Sequence, residues 1–245
     1  MPPEATNYDA FSQIYNRHWG AQYANFALET LAPLLEKIPA GGRILDLCCG
    51  SGQTSRRLAD RGFSVVGIDN SPSLITLATR NAPNASFEIA DAREFTLPGS
   101  FHAVISLNDS LNHLLTIEDL MSAFTSVARC LPSDGIFLFD LNLAHKYETS
   151  WGGSMSIVED DAVCAIVVES NLQQKLATFD AATFIKIHGV WSREDAHLCQ
   201  TWYEPEKIAA ALQQTGFVNV QISDRKGTKL NNWAVDKAFF WCTRA

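Results

Sequence analysis

Between positions 43 and 141, short apolar runs alternate with stretches in which apolar residues recur every three to four positions. The runs at 43–48, 64–68, 86–89, 103–107 and 136–141 have the length of buried strands, whereas 54–60, 72–81 and 117–130 repeat as amphipathic helices do. Strand and helix in regular alternation predict parallel pairing through right-handed crossovers, with helices on both faces of the sheet. Upstream, an aromatic and polar segment at 8–23 leads into a helical pattern through Phe26, Leu28, Leu31, Leu34 and Leu35, which Pro39, Gly41 and Gly42 stop.

The pattern changes near Leu143 and again near Glu204. Within 156–203 the β-branched run around Val163, Ile166, Val167 and Val168, and the period-two stretch through Thr183, Ile185 and Ile187, predict antiparallel strands inserted into the α/β frame. Alternation then resumes with Pro205 opening a helix, Gly216 ending it, and strands at 217–222 and 234–242. The expected fold class is α/β: a doubly wound, mostly parallel seven-stranded sheet, Rossmann-like, with an inserted antiparallel β subdomain. Its expected divisions are an N-terminal helical cap at 1–40, an α/β domain from 41–143 and 204–245, and a β lid at 144–203 lying over one edge of it.

Composition narrows the functional classes. Of 245 residues, 47% are hydrophobic and 19% charged, enough apolar surface to offset the entropy of ordering. The net charge of −8, with no basic run, disfavours nucleic acid, whose affinity rests on phosphate neutralisation. The longest apolar run, 162–168, is far short of the roughly 20 residues a membrane span needs. Residues 1–10 have neither a basic start nor an apolar signal core, so a cytoplasmic location is expected. The six cysteines form no C-x-x-C pair and join no histidines at zinc-site spacing, so reduced thiols and no metal are expected.

The chemistry concentrates at strand ends. After the first strand comes Asp46-Leu47-Cys48-Cys49-Gly50-Ser51-Gly52, where glycines let a ligand approach the backbone as the chain turns into a helix. The second strand ends at Asp69, followed by Asn70. Asp69 has two readings: it accepts hydrogen bonds from both hydroxyls of a ribose, or it caps the helix at Pro72. With Gly50 and Gly52 the ribose reading prevails and a nucleoside ligand is expected. A dinucleotide requires a third glycine three residues after the second, where Ser55 stands. The charge of Asp46 beside the turn disfavours a diphosphate and suits a cationic cofactor.

These residues, together with Asp91-Ala92 after the third strand and Leu107-Asn108-Asp109-Ser110 after the fourth, resemble the successive signatures of class I S-adenosylmethionine-dependent methyltransferases. The resemblance covers most of the chain. It implies that Cys48 and Gly50 lie against the amino-acid part of S-adenosylmethionine, that Asp69 with its neighbour Asn70 binds ribose, that Asp91 and Ala92 flank adenine, and that Leu107 lies near the methionine moiety.

A closer likeness is to a small-molecule branch that includes amino-sugar N,N-dimethyltransferases and glycine N-methyltransferase-like enzymes. It rests on Tyr8, Asp9, Ile14, Tyr15 and Tyr23, on the run Ser106-Leu107-Asn108-Asp109-Ser110-Leu111-Asn112-His113-Leu114, and on the insertion after Asp140-Leu141-Asn142. It implies that Tyr15 and Tyr23 cap the cofactor, that His113 faces the acceptor, and that His113 or Asp109 serves as general base. The implied reaction is in-line transfer of a methyl group to nitrogen, or oxygen, of a small-molecule acceptor. A non-catalytic cofactor-binding regulator and a nucleotide-dependent oxidoreductase remain alternatives at this point. Trp151, Trp191 and Trp202 line an acceptor pocket or form the insertion's own core, and Glu159-Asp160-Asp161 reads as a solvated turn.

Overall fold

The computed structural model describes residues 8–245, so the first seven residues of the expected cap lie outside it. The N-terminal half runs through α1 (Ser12–Tyr15), α2 (Ala21–Leu35), β1 (Arg43–Leu47), α3 (Gln53–Ala59), β2 (Ser64–Asp69), α4 (Pro72–Asn81), β3 (Ser86–Ile89), β4 (Ala103–Ser106), α5 (Ile117–Cys130) and β5 (Ile136–Asn142). Then follow α6 (Ala144–Thr149) and four long strands, β6 (Gly153–Val158), β7 (Ala162–Asn171), β8 (Leu176–Ile187) and β9 (Val190–Gln200). The chain finishes with α7 (Pro205–Gln214), β10 (Phe217–Ser223) and β11 (Lys237–Arg244).

Seven strands form one sheet in the order β10-β11-β5-β4-β1-β2-β3, with β11 antiparallel to both neighbours and the other pairs parallel. Pleat parity divides its two cores. Phe137, Phe139 and Leu141 of β5 face α5 and α7 with Phe240, while Ile136 and Leu138 face the other way, toward Leu31 and Leu34 of α2. Phe139 is fully buried and stacks on Phe240 at 4.9 Å between ring centroids. The helices begin where side chains satisfy their first amides: Ser71 Oγ accepts from Leu74 N at 3.1 Å, with Pro72 at the first helical position, and Thr116 Oγ1 accepts from Asp119 N at 3.1 Å. Because β1 pairs with β2 on one side and β4 on the other, the sheet reverses its winding there and opens a crevice at the carboxyl ends.

The second sheet, β6-β7-β8-β9, is antiparallel throughout. Small residues on its inner face, Ala162, Cys164, Ala181 and Ala196, leave a shallow seat that Phe11 and Ile14 of the N-terminal segment fill. The sheet meets the α/β body at the carboxyl ends of β4 and β5. Buried Asn112 fixes this placement: its Nδ2 donates to Thr201 O (2.7 Å) and Asn142 O (3.0 Å), and its Oδ1 accepts from Asn142 N (2.9 Å). The segment expected to be all β opens instead with α6, and the last strand starts at Lys237, because Asp236 turns aside to His145 (2.9 Å) and Lys146 (3.8 Å).

The acidic turn at 159–161 is not merely solvated. Arg17 bonds Glu159 at 2.9 Å and Asp161 at 2.8 Å, and His18 approaches Glu159 at 3.1 Å, tying the N-terminal segment to the second sheet. These groups remain accessible, so water and salt screen them. Phe139→Ala is expected to cost about 3–5 kcal/mol in urea unfolding, the range for an emptied aromatic core site. Arg17→Ala is expected to leave the unfolding midpoint unchanged; equal losses in the two variants would contradict this division of roles.

Candidate active site

The turn after β1 takes left-handed backbone at Cys48 (φ 59°), Gly50 (φ 55°) and Gly52 (φ 80°). A Cβ on Gly52 would stand 2.8 Å from Ala78 Cβ, so glycine there lets α3 and α4 close together. The Tyr15 ring packs over Gly50, 3.2 Å from where a Cβ would be. Asp69 Oδ2 accepts from Gly50 N and Oδ1 from Ser71 N, each at 3.0 Å. Burial raises the Asp69 pKa, and these amides act in the opposite direction.

Asp46 differs from its expected role. It lies buried beneath the turn, accepting from Ser55 Oγ at 2.6 Å, and burial pushes its pKa up to about 7. The carboxyl therefore holds α3 against β1, and it does not line the cavity above the turn. Ser55, where a dinucleotide fold has glycine, is its partner.

A cavity of about 340 Å³ opens above this turn, within the roughly 300–1,000 Å³ typical of small-molecule sites. Tyr15, Cys48, Gly50, Asp69, Asn70, Asp91 and Ala92 all line it. Asp91 is held by Arg93, which donates from its side chain at 2.6 Å and its backbone at 2.9 Å and lowers the carboxyl's pKa. Two residues lie elsewhere. Leu107 shares the parity of Ala103 and Ile105 and packs into the core with Leu138, and Tyr23 lines a second, neighbouring cavity.

That second cavity, about 530 Å³, lies between the N-terminal segment and the inner face of the four-stranded sheet. Tyr8, Tyr15, Asn108 and His113 line both cavities and form the wall between them. Asn108 (φ 64°) and Asp109 (φ 53°) are both left-handed, an uncommon pair for residues with side chains. Their amides converge on the buried Asp140 carboxylate, Asn108 N at 2.9 Å, with Asp109 N on the other oxygen. Lys237 Nζ bridges Asp109 Oδ1 (2.9 Å) and Asp140 Oδ1 (3.1 Å). Burial opposes charge on Lys237, but the two carboxylates outweigh it and hold its pKa above the ordinary lysine value.

The same network sets His113. Its Nδ1 lies 2.6 Å from Cys199 O, which only accepts, so Nδ1 carries the proton and Nε2 is the acceptor. Nε2 receives Tyr8 OH at 3.0 Å and Gln200 Nε2 at 3.2 Å. Gln200 is oriented by Tyr147 OH, which donates to its Oε1 at 2.8 Å, and its second amide hydrogen goes to Asp109 Oδ2 at 2.8 Å. Burial lowers the His113 pKa, against the pull of Asp109, and keeps the ring neutral. His113 is thus a half-buried member of the wall between the two cavities.

Asp140, Gln200 and Lys237 escaped sequence reasoning. Asp140 had a signal, a carboxylate inside the otherwise apolar run Ile136-Phe137-Leu138-Phe139. Gln200 and Lys237 had none. Trp151 lines the second cavity, Trp202 stacks on Tyr147 at 4.7 Å in a small core, and Trp191 is exposed.

The chain is similar to known methyltransferases over most of its length. A family described as a methyltransferase domain matches residues 44–135. The methyltransferase-family protein YqeM of Bacillus subtilis strain 168 is 32% identical over 216 residues, covering 86% of each chain. A dTDP-3-amino-3,4,6-trideoxy-α-D-glucopyranose N,N-dimethyltransferase of Streptomyces venezuelae is 26% identical over 195 residues, covering 78% of this chain and 82% of its own. Among solved structures, an amino pentose methyltransferase from Micromonospora echinaspora with S-adenosylmethionine bound has the same fold, at a TM-score of 0.72 and 20% identity over 96% of each chain.

Asp46 generates a pH prediction. Its native pKa of about 7 exceeds the ordinary aspartate value of about 3.9, so the folded chain holds a proton that the unfolded chain releases between those limits. The stability it contributes is complete below about pH 4 and is lost as pH rises to 7, by at most ~1.4 kcal/mol per pH unit. In urea titrations Asp46→Asn should gain on the wild type between pH 5 and 7 and hold a constant difference above that; a pH-independent difference would refute it.

Proposed function

Because the chain belongs to the class I S-adenosylmethionine-dependent methyltransferases, we propose that it moves a methyl group to a nitrogen, or an oxygen, of a small molecule held in the second cavity. One observation carries this reading: two cavities meet at Tyr8, Tyr15, Asn108 and His113, so two bound molecules touch across one wall. The first cavity fits the cofactor. It offers a buried carboxylate at Asp69, backbone at Gly50 without a Cβ, and apolar lining at Ile68, Leu74 and Ala92.

S-adenosylmethionine supplies, when bound, a methyl carbon activated on a positively charged sulfur. In this reading Asp69 grips the ribose hydroxyls with the lone pairs its two amide partners leave, Asn70 lies beside it, and Asp91 and Ala92 flank the adenine. Cys48 and Gly50 run along the amino-acid end, and Tyr15 closes over it. Tyr23 belongs to the acceptor side, and Leu107 supports the wall from within the core. The N-terminal segment acts as the cap and the four-stranded sheet as the lid. Together they would exclude water and hold the acceptor against the cofactor cavity, and such positioning would supply most of the acceleration. His113 Nε2 receives the acceptor's proton once the acceptor displaces Tyr8 OH and Gln200 from its lone pair, and Asp109 orients the acceptor.

Asp69→Ala should weaken S-adenosylhomocysteine binding at least about tenfold in calorimetry, because one charge-assisted hydrogen bond exceeds about 1.4 kcal/mol. Wild-type affinity would refute the ribose assignment. His113→Asn should lower kcat/KM by about 10²–10⁴ with cofactor affinity kept, and the wild-type rate should fall only below pH 6.5, since burial holds the imidazole under its ordinary value. An unchanged kcat/KM would remove His113 from the proton path.

A further inference from the structure

We propose that the second cavity selects an amine on a compact apolar body and rejects acceptors that carry a phosphate or diphosphate. The inference rests on the methyl-transfer reading and deepens it. Its basis is the charge lining the cavity. Among the described residues the lining cations are Lys146 and Lys237, and both are already engaged. Lys237 Nζ lies between Asp109 at 2.9 Å and Asp140 at 3.1 Å, and Lys146 Nζ stands 3.8 Å from Asp236. Two lining carboxylates, Asp109 and Asp236, balance these cations, and Asp140 behind Lys237 adds a third. Residues 1–7 contain no Lys, Arg or His, so no basic side chain comes from there. A phosphate needs uncommitted cations, most often a bidentate arginine, and no arginine lines this cavity among the described residues. The overall charge of −8 adds a field that repels a dianion.

The same lining attracts an amine. Tyr8, Phe11, Trp19, Trp151 and Phe179 supply aromatic surface, whose ring faces attract an alkylammonium. Asp109 is the group to meet it. Its side chain keeps 25% of its surface exposed and faces this cavity and not the first. Each of its oxygens spends one interaction on Lys237 or Gln200 and retains a lone pair.

Charge moves in a matching direction during the reaction. The bound ammonium first gives a proton to water, or to His113 Nε2 after displacing Tyr8 OH and Gln200 from it. The nitrogen lone pair then forms the N–C bond as the C–S bond breaks, and that bonding pair stays on sulfur, leaving a neutral thioether. Positive charge passes from sulfur to nitrogen, toward Asp109, which therefore favours the product-like arrangement over the starting one.

The test compares two probes that share a ring and differ in charge, 2-phenylethylamine and phenyl phosphate. Both are titrated into the full chain saturated with S-adenosylhomocysteine and read by the fluorescence of Trp19 and Trp151. The amine is expected to bind at least tenfold more tightly than the phosphate, and Asp109→Asn, with cofactor affinity retained, should reduce that preference severalfold. Equal binding, a preference for phenyl phosphate, or binding of neither overturns the proposal. Should Asp109→Asn fail to fold, the wild-type preference alone decides. Calorimetry with S-adenosylhomocysteine separates this outcome from failure of the methyl-transfer reading, which would show as no cofactor binding at all.

Discussion

A carboxylate taken out of water must recover its lost hydration through hydrogen bonds, and in this protein two such groups organise the carboxyl edge of the sheet. Asp69, at the end of β2, accepts the amides of Gly50 and Ser71. Asp140, near the end of β5, accepts those of Asn108 and Asp109. Each carboxylate therefore fixes a left-handed turn that leaves a neighbouring strand, the first after β1 and the second after β4. The crevice between those turns lies where the winding of the sheet reverses. Its depth comes from topology, but the course of the backbone around it is held by these two side chains.

The N-terminal segment depends on the same edge. Asp9 accepts from Ser73 N at 3.0 Å and from Ser71 Oγ, at the positive end of α4, while Asn16 accepts from Gln53 at 2.7 Å and Asn81 at 2.8 Å. Phe11 and Ile14 then press against the four-stranded sheet. The segment is thus bound on one side to the α/β body and on the other to the insertion, and its tyrosines stand between. Tyr8 and Tyr15 have pKa values raised by burial and remain neutral phenols, so Tyr8 can donate to His113.

Family membership removes the oxidoreductase alternative, and with it the electrostatic argument from Asp46 loses its importance. That argument treated a carboxyl as charged because it is an aspartate. Burial against Ser55 brings its pKa to about 7, and a residue two positions before the turn acts as internal support. The glycine spacing remained the stronger discriminator, because it depends on backbone geometry and not on an environment that only folding creates.

Alternation of strand and helix, the seven strands of the main sheet, the glycine turn and the acid at the end of β2 were all legible in the amino-acid order, because each depends on residues within about ten positions of one another. The antiparallel nature of the insertion was legible for the same reason. Its seat at the carboxyl ends of β4 and β5 was not, since that depends on Asn112 meeting Asn142 and Thr201. Likewise Gln200 and Lys237 carry no local pattern that marks them. They become partners of Asp109 and His113 only when β9 and β11 arrive from 91 and 128 positions away along the chain. Periodicity is a property of neighbours in sequence, whereas the charge balance and tautomer of this site are properties of neighbours in space, and those the folded chain alone decides.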